Sequence, residues 1–322
     1  MNNDIVLVLT CDRNFLRYAA VCAVSAIRKT QRKILLYLLT DDSVTEKDKN
    51  IFTGIFTQFK NVKVVKLVDI SGKVDFQDSG TAKYPKIVYY RIFIPILFEK
   101  ENFEKCIYLD TDTTILSDIG ELFDTDLEGN FLGVCRCPVM DEKIRKQILL
   151  PNGEYAVEYV KKLVRKPENY FISACILYNL VEIRKNGMAL VHKAMQMDGT
   201  NFFCPDQDIL NVVYEGNVKF LSPSWCCTPT DTEGAALPEA KILHTKMWTG
   251  HLHLSDDVWF RDLKLTPYYY PVRAEYLALL FERSINTVLR PEFDGLMKSF
   301  FCFSIHLVIA FLKRVFLWKK QK

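Results

Sequence analysis

The stretch DIVLVLTCDRNFLRYAAVCAVSAI, residues 4–27, contains the first strand–turn–helix unit of the chain and indicates its fold class. Its apolar, β-branched first half ends at the polar residues Asp12, Arg13 and Asn14. Small and apolar residues then recur at helical spacing from Phe15 to Ile27. Runs of this kind predict a core strand, a turn and an amphipathic helix.

The same unit recurs further along the chain. A predicted strand over 33–40 and a predicted helix over 45–59 precede a strand over 62–70. A helical pattern over 86–98 then leads into a fourth strand that begins at Cys106. Strands that alternate with helices predict an α/β fold with a doubly wound, mostly parallel sheet and flanking helices.

The carboxyl ends of the strands form the edge where open α/β sheets bind ligands. Asp12, Asp41 and Asp110 all fall on that edge of the predicted sheet. Beyond this point the pattern is less regular and is typical of substrate-side structure inserted around the sheet. The elements predicted there are strands over 131–135 and 171–179 and a helix over 181–197.

Composition excludes several classes of protein. The 322 residues are 49% hydrophobic and 25% charged, with a net charge of +3, as in an ordinary globular protein with no nucleic-acid partner. Ten cysteines lie in apolar contexts without any C-x-x-C pair, which indicates reduced, buried thiols in a cytoplasmic protein. The N-terminus has no basic segment before its short apolar run, so we expect the chain to begin with a core strand.

The C-terminal part differs in composition from residue 266 onward. We therefore expect a catalytic domain over 1–265 and a helical tail over 266–322. Residues 300–312 are almost all apolar and precede a basic, aromatic end, but the run is shorter than the roughly 20 residues that span a bilayer. The pattern favours an interfacial helix at the cytoplasmic face of the membrane. The alternative is a C-terminal helix that packs on the domain.

The segment CIYLDTDTTIL, residues 106–116, contains the strongest candidate for a metal site. In a strand, residues two apart point to the same side, so we expect Asp110 and Asp112 to present two carboxylates to one point. Two hard oxygen ligands suit Mg²⁺ or Mn²⁺. An ordinary strand end is the alternative, but buried carboxylates need a cation or hydrogen-bond donors.

Two further triplets with the same pattern occur at 124–126 and 206–208. The first lies in a polar loop before Gly129 and is typical of a turn in which aspartates cap their own backbone. The second, in CPDQDILN, begins a predicted helix after Pro205, where acidic residues are favoured by the helix dipole.

The segment YLDTDTTILSDIGELFDTDLEGNFLGV, residues 108–134, resembles the aspartate-any-aspartate segment of family 8 glycosyltransferases. This family includes bacterial lipopolysaccharide galactosyl- and glucosyltransferases and glycogenin. The resemblance extends from the first strand to about residue 250, with the motifs in the family's order. It implies a GT-A fold and a Mn²⁺-assisted, retaining transfer of a hexose from a UDP-sugar, with Mg²⁺ as a possible substitute. We expect the acceptor to be a cell-surface glycan such as lipopolysaccharide core or capsule, and the basic, aromatic C-terminal tail fits a lipid-linked acceptor.

The resemblance also implies roles for individual residues. Asp110, Asp112 and His244 would bind the metal. Asp206 would bind sugar hydroxyls, and Gln207 would lie near the anomeric carbon. The residues implied for the nucleotide sugar are Thr10, Asp12, Asn14, Arg91, Thr111 and Lys246.

The residues themselves leave structural interpretations open. Asp12 or Asn14 would also serve as a helix cap. Arg91, on an apolar helix, needs an anionic partner that is either a phosphate or a protein carboxylate. His251 and His253 have the spacing of a ligand pair but lie in a polar loop and match nothing in the family.

The chain departs from the family's pattern at several positions. Ile172 stands where the family usually has an asparagine, and Arg136 and Cys137 stand where an acidic residue usually follows a Leu-Gly pair. A catalytically degenerate, membrane-bound scaffold is therefore the alternative to an active transferase. A nucleotidyltransferase is a third possibility, opposed by the lack of a glycine-rich basic loop after the first strand.

Overall fold

The strand–turn–helix unit at the start of the chain forms as predicted. A computed structural model describes residues 4–73, 85–227 and 240–244, apart from the side chain of Arg17. Strand β1 (Ile5–Thr10) is buried along its whole length, which explains its uninterrupted apolar sequence. A short 3₁₀ turn leads from it into helix α1 (Leu16–Lys29).

Nine strands form two sheets in the described residues. The strands after β1 are β2 (Ile34–Thr40), β3 (Val62–Asp69), β4 (Lys105–Leu109), β5 (Thr113–Ile115), β6 (Leu132–Arg136), β7 (Phe171–Asn179), β8 (Val218–Phe220) and β9 (Ile242–His244). The main sheet has the order β3-β2-β1-β4-β7-β6-β8, and β5 pairs with β9 in a small antiparallel sheet. All neighbours in the main sheet are parallel except that β7 runs antiparallel to β4 and β6. The prediction of a mostly parallel α/β sheet is confirmed.

The helices connect and cover these strands. After α1 they are α2 (Glu46–Phe56), α3 (Ile94–Leu97), α4 (Ile119–Phe123), α5 (Pro138–Arg145), α6 (Ala156–Leu163), α7 (Leu180–Glu182), α8 (Met188–Gln196) and α9 (Pro205–Tyr214). Helix α2 begins as predicted because Thr45 and Asp48 form a capping box. The helix predicted over 181–197 is interrupted by a π-helical turn at Ile183–Gly187, which separates α7 from α8.

The helix predicted over 86–98 is present, but most of it has 3₁₀ and not α-helical geometry. The segment is a 3₁₀ helix over Lys86–Phe93 that continues into the short α3. Pro95 has no N–H group, so a continuous α-helix would leave the carbonyl of Arg91 without its donor. In the 3₁₀ geometry the N–H of Ile94 donates to that carbonyl, and the hydroxyl of Tyr178 also donates to it, at 3.0 Å.

The main core lies between the 3₁₀ segment, α8 and α9 and the strands β1, β4 and β7. None of the nine cysteines in the described ranges forms a disulfide and eight of them are buried, so the prediction of buried thiols is confirmed for that part of the chain. Within the same ranges, no helix combines the length and the apolarity needed to cross a bilayer. The predicted boundary at 265/266 and the tail lie outside the described residues and stay predictions.

Candidate functional site

Two aspartates and a histidine converge at the carboxyl end of β4. Ligand atoms of Asp110, Asp112 and His244 all lie within 4.8 Å of one another. Nε2 of His244 is 3.3 Å from Oδ1 of Asp112 and 3.9 Å from Oδ2 of Asp110. The histidine reaches the aspartates because β9 pairs with β5, which places His244 opposite Thr113.

A turn, and not strand alternation, brings the two carboxylates together. Strand β4 ends before Asp110. The backbone N–H of Thr113 donates to the carbonyl of Asp110 at 3.1 Å, and the Thr113 hydroxyl donates to the same oxygen at 2.7 Å. The expected convergence is present, but the reasoning from side-chain alternation was wrong. Thr111 lies at the centre of this turn and is half-buried.

The residues present fit a divalent cation. His244 is only 3% exposed, and neither of its ring nitrogens makes a hydrogen bond of good geometry to any residue in the described ranges. Buried polar atoms without partners are costly, and a cation at the imidazole would remove that cost. Burial alone would lower the pKa of His244, but the adjacent Asp112 carboxylate raises it well above its usual value. The site therefore favours positive charge, and two carboxylates with one imidazole suit a divalent cation.

Arg91 links this triad to the second acidic motif. Its side chain is 8% exposed, with Nη2 2.9 Å from Oδ1 of Asp110 and Nε 3.2 Å from Oδ2 of Asp206. Nη1 donates to the carbonyl and the hydroxyl of Ser173 at 3.1 and 2.9 Å. The guanidinium also lies over the ring of Tyr108. Of the two partners that the sequence left open, the structure places protein carboxylates against Arg91.

Thr10 lies close to the same cluster. Its hydroxyl is 3.2 Å from that of Tyr108, which donates to Oδ1 of Asp110 at 2.5 Å. Because the Tyr108 hydroxyl has one proton and gives it to the carboxylate, Thr10 must be the donor to Tyr108. Thr10 is therefore linked to Asp110 through the hydroxyl of Tyr108.

Asp12 and Asn14 follow the carboxyl end of strand β1. Asp12 caps the 3₁₀ helix Arg13–Phe15 by accepting from the N–H of Phe15 at 3.1 Å. The exposed Asn14 donates to the other carboxylate oxygen of Asp12 at 3.4 Å. The interpretation of Asp12 as a helix cap is confirmed.

The second acidic motif begins helix α9. Asp206 is buried and accepts from the Ser173 hydroxyl at 3.3 Å. Burial raises the pKa of Asp206, although the charge of Arg91 acts in the opposite direction. Gln207 is half-buried: its Oε1 accepts from the N–H of Ser173 at 3.1 Å, and its Nε2 donates to the hydroxyl of Tyr170 at 2.9 Å.

Asp208 is fully buried behind Gln207. It accepts from the hydroxyls of Tyr159, at 2.6 Å, and Tyr170, and from the N–H of Cys204 at 2.8 Å. Burial raises the pKa of Asp208 to about 6, while the three donors around the carboxylate favour its charged form. Neither tyrosine was identified from the sequence. The only available signal was that a buried tyrosine hydroxyl needs a polar partner.

The triplet at 124–126 is structural, as predicted. Asp124 is exposed and pairs with Arg32 at 2.7 Å. Asp126 accepts from the N–H of Glu128 at 2.8 Å, which stabilises the turn in which Glu128 has a positive φ of 52°. Neither carboxylate lies with a third metal-ligating group among the residues that the structure covers.

Three of the remaining candidates lie in the described residues and three do not. Ile172, in β7, and Cys137, before α5, are both buried. Arg136 is exposed, with its guanidinium over the ring of Phe220. Lys246, His251 and His253 lie outside the described residues.

Comparison with known proteins gives consistent matches. The model of the family described as Glycosyl transferase family 8 matches residues 6–249. A putative glycosyltransferase of Haemophilus influenzae is 27% identical over 250 residues, which are 75% of this chain and 68% of that protein.

Two solved structures have a similar fold. The apo structure of WbbM, a bifunctional glycosyltransferase, has a TM-score of 0.65 at 21% identity over 78% of this chain, which spans 46% of the WbbM chain. The galactosyltransferase LgtC, in complex with donor and acceptor sugar analogs, has a TM-score of 0.54 at 19% identity, covering 85% of this chain and 95% of its own. These similarities show the fold.

Proposed function

The chain belongs to glycosyl transferase family 8 and has a GT-A-like α/β fold, and from this premise we propose that it transfers a hexose from a UDP-sugar with retention of configuration. The acceptor that we propose is a lipid-linked cell-surface glycan such as lipopolysaccharide core or capsule. One observation carries the proposal: the triad of Asp110, Asp112 and His244 is linked through Arg91 to Asp206, the neighbour of Gln207 in the chain.

The triad would hold a divalent cation, Mn²⁺ by preference. When bound, such a cation neutralises the negative charge that develops on a departing diphosphate. The protein itself keeps the three ligand residues in place when no cation is bound. Thr113 closes the turn that carries both aspartates, and the β5–β9 pairing holds the histidine opposite them.

Asp206 and Gln207 are the residues that we propose for the sugar. Asp206 is an acceptor for hydroxyl groups whose position Arg91 and Ser173 fix. Gln207 is half-buried, and its amide keeps one N–H and one lone pair beyond the bonds already described. In a retaining transfer the acceptor hydroxyl attacks from the face that UDP leaves. The β-phosphate can take the proton, so the reaction needs no strong protein base.

Turnover of UDP-hexoses by the full-length protein tests this proposal. We expect UDP release from at least one donor in a panel of UDP-hexoses, loss of that release in EDTA, and recovery when Mn²⁺ is added back. The control is a folding measurement by circular dichroism under each condition. If the folded protein neither binds nor turns over any donor, the degenerate scaffold replaces the transferase as the better interpretation.

We also propose that the protein associates peripherally with the cytoplasmic face of the membrane through its C-terminal end. The support is the sequence alone: the apolar run 300–312 precedes Lys313, Arg314, Lys319 and Lys320. Each basic residue near an anionic surface contributes about 1 kcal/mol. Changing these four residues to Gln should weaken flotation with anionic vesicles at least about a hundredfold. Unchanged association with those vesicles would refute the proposal.

A further inference from the structure

The side-chain amide of Gln207 is bonded at both ends. Its Oε1 accepts from the backbone N–H of Ser173 at 3.1 Å, and its Nε2 donates to the hydroxyl of Tyr170 at 2.9 Å. If the amide were turned by 180°, Nε2 would face the N–H of Ser173 and two donors would oppose each other. The amide therefore has one favourable orientation, provided that the Tyr170 oxygen is an acceptor on that side.

The carboxylate of Asp208 makes the Tyr170 oxygen an acceptor. Asp208 is 0% exposed and receives three donors: the hydroxyls of Tyr159 and Tyr170 and the N–H of Cys204. An ionised carboxylate can only accept, so Tyr170 must give its single proton to Asp208. Its oxygen then has lone pairs left for the Nε2 group of Gln207.

We propose that Asp208 and Tyr170 are positioning residues that fix the amide orientation of Gln207 through a directed chain of hydrogen bonds. The chain runs from Gln207 Nε2 to the Tyr170 oxygen and from the Tyr170 hydroxyl to Asp208 Oδ1. Asp208 does not touch the sugar, because its side chain is enclosed by these donors.

The inference rests on the proposed function, in which Gln207 faces the hexose. A fixed amide presents its spare lone pair on the Ser173 side and its spare N–H on the Tyr170 side. The sugar hydroxyls and the charge that develops at the anomeric carbon then meet a preorganised dipole, which is more effective than one that must reorient. Loss of the chain should lower the rate of transfer more than the affinity for the donor.

The chain contains a matched pair of tyrosines for the test. Tyr170→Phe and Tyr159→Phe each remove one hydroxyl that donates to Asp208, but only Tyr170 bonds Gln207. The Tyr159 hydroxyl also accepts from the N–H of Phe203 at 2.7 Å, so its removal should destabilise the fold at least as much. We expect Tyr170→Phe to lower kcat roughly tenfold or more with KM for the UDP-hexose within about twofold. Tyr159→Phe should keep kcat within about twofold while its Tm falls as much or further. Equal losses of kcat in the two variants would overturn the proposal.

Asp208→Asn tests the direction of the chain. The asparagine amide keeps the shape of the carboxylate. When the amide oxygen accepts from Cys204 and Tyr159, the amide NH₂ group faces the oxygen of Tyr170. The Tyr170 proton must then turn toward Gln207, whose amide loses its favoured orientation. We expect a loss of kcat at least as large as in Tyr170→Phe. Because Asp208 acts only through Tyr170, the double variant should have the kcat of Tyr170→Phe alone. Multiplied losses would show that Asp208 acts independently and would refute the chain.

A spectroscopic measurement separates this inference from the proposed function. In protein labelled with ¹⁵N-glutamine, the side-chain amide signals of Gln207 can be assigned by their loss in Gln207→Ala. These signals should shift in Tyr170→Phe and stay in place in Tyr159→Phe, whether or not any donor is turned over. Unshifted signals in Tyr170→Phe would refute the positioning role, even if the wild-type protein is an active transferase. A wild-type protein that turns over no donor would instead refute the function.

Discussion

Asp112→Asn is expected to abolish the Mn²⁺-dependent binding and turnover of UDP-hexoses. The substitution keeps the shape of the side chain but removes a buried negative charge 3.3 Å from the imidazole of His244. A catalytic cation contributes several kcal/mol, so its loss should lower turnover by at least about a hundredfold. Without metal, the removal of one of two clustered carboxylates offsets the loss of the charge that Asp112 places 3.3 Å from the imidazole of His244. The Tm of the metal-free variant should therefore stay close to that of the wild type, while the increase in Tm on adding Mn²⁺ disappears.

The chain provides a control with the same local sequence. Asp126 ends a second Asp-Thr-Asp triplet, but it is exposed and only stabilises a turn through the N–H of Glu128. An asparagine oxygen can accept that bond, so Asp126→Asn should change neither Mn²⁺ binding nor turnover. Calorimetric titration with Mn²⁺ and the UDP-release assay compare the two variants. An equal effect of both substitutions, or unfolding of the metal-free Asp112→Asn variant, would mean that Asp112 is a structural residue.

Periodicity and turn residues predicted most of the fold, but not the direction of every strand. The strand over 171–179 has the predicted bounds, yet it runs antiparallel to its neighbours β4 and β6. Eight of its nine residues are buried. A buried apolar run has the same sequence pattern in a parallel and in an antiparallel strand, so the pattern does not indicate the direction of the strand. The direction depends on the path of the 34 residues that connect it to β6, whose pattern is irregular. The effect of Pro95, in contrast, could be predicted from the sequence, because a proline inside a helix removes a backbone hydrogen bond of the preceding turn.

The candidate site could be predicted where residues are close in sequence or belong to a motif. Asp110 and Asp112 satisfy both conditions, and His244 was implied by the family's motif order. The contacts of Arg91 join three segments that meet only in the folded chain. The contacts of Asp208 with its two tyrosines also join segments that are distant in the sequence. A single buried arginine or tyrosine in a sequence does not identify its partner, because the partner can lie on any element of similar burial.

Arg91 shows how the two acidic motifs depend on each other. Asp110 lies in the turn after β4, and Asp206 lies in α9, the helix that carries Gln207. Both carboxylates are within 3.2 Å of the buried guanidinium of Arg91. Burial alone would lower the pKa of Arg91, but these two carboxylates raise it, so the guanidinium is charged under all ordinary conditions. A displacement of either motif would therefore disturb the other through a shared charge.

Arg91→Met should consequently destabilise the protein strongly and stop transfer. The substitution keeps an apolar stem of similar length but leaves two carboxylates without their cation. Breaking a buried ion pair from one side costs about 3–5 kcal/mol. The free energy of unfolding in urea measures this cost. Arg32→Met is the control, because Arg32 pairs with the exposed Asp124 and such surface pairs contribute about 1 kcal/mol or less.

A second substitution separates the charge effect from simple loss of packing. In Arg91→Met combined with Asp206→Asn, one of the two uncompensated charges is removed, so part of the lost stability should return. Transfer should not return, because Asp206 is the residue proposed to bind the sugar. If the double variant is no more stable than Arg91→Met, the arginine stabilises the site through its contacts with Ser173 and Tyr108 and not by balancing the carboxylates. If Arg91→Met costs no more than Arg32→Met, the guanidinium does not hold the two motifs together.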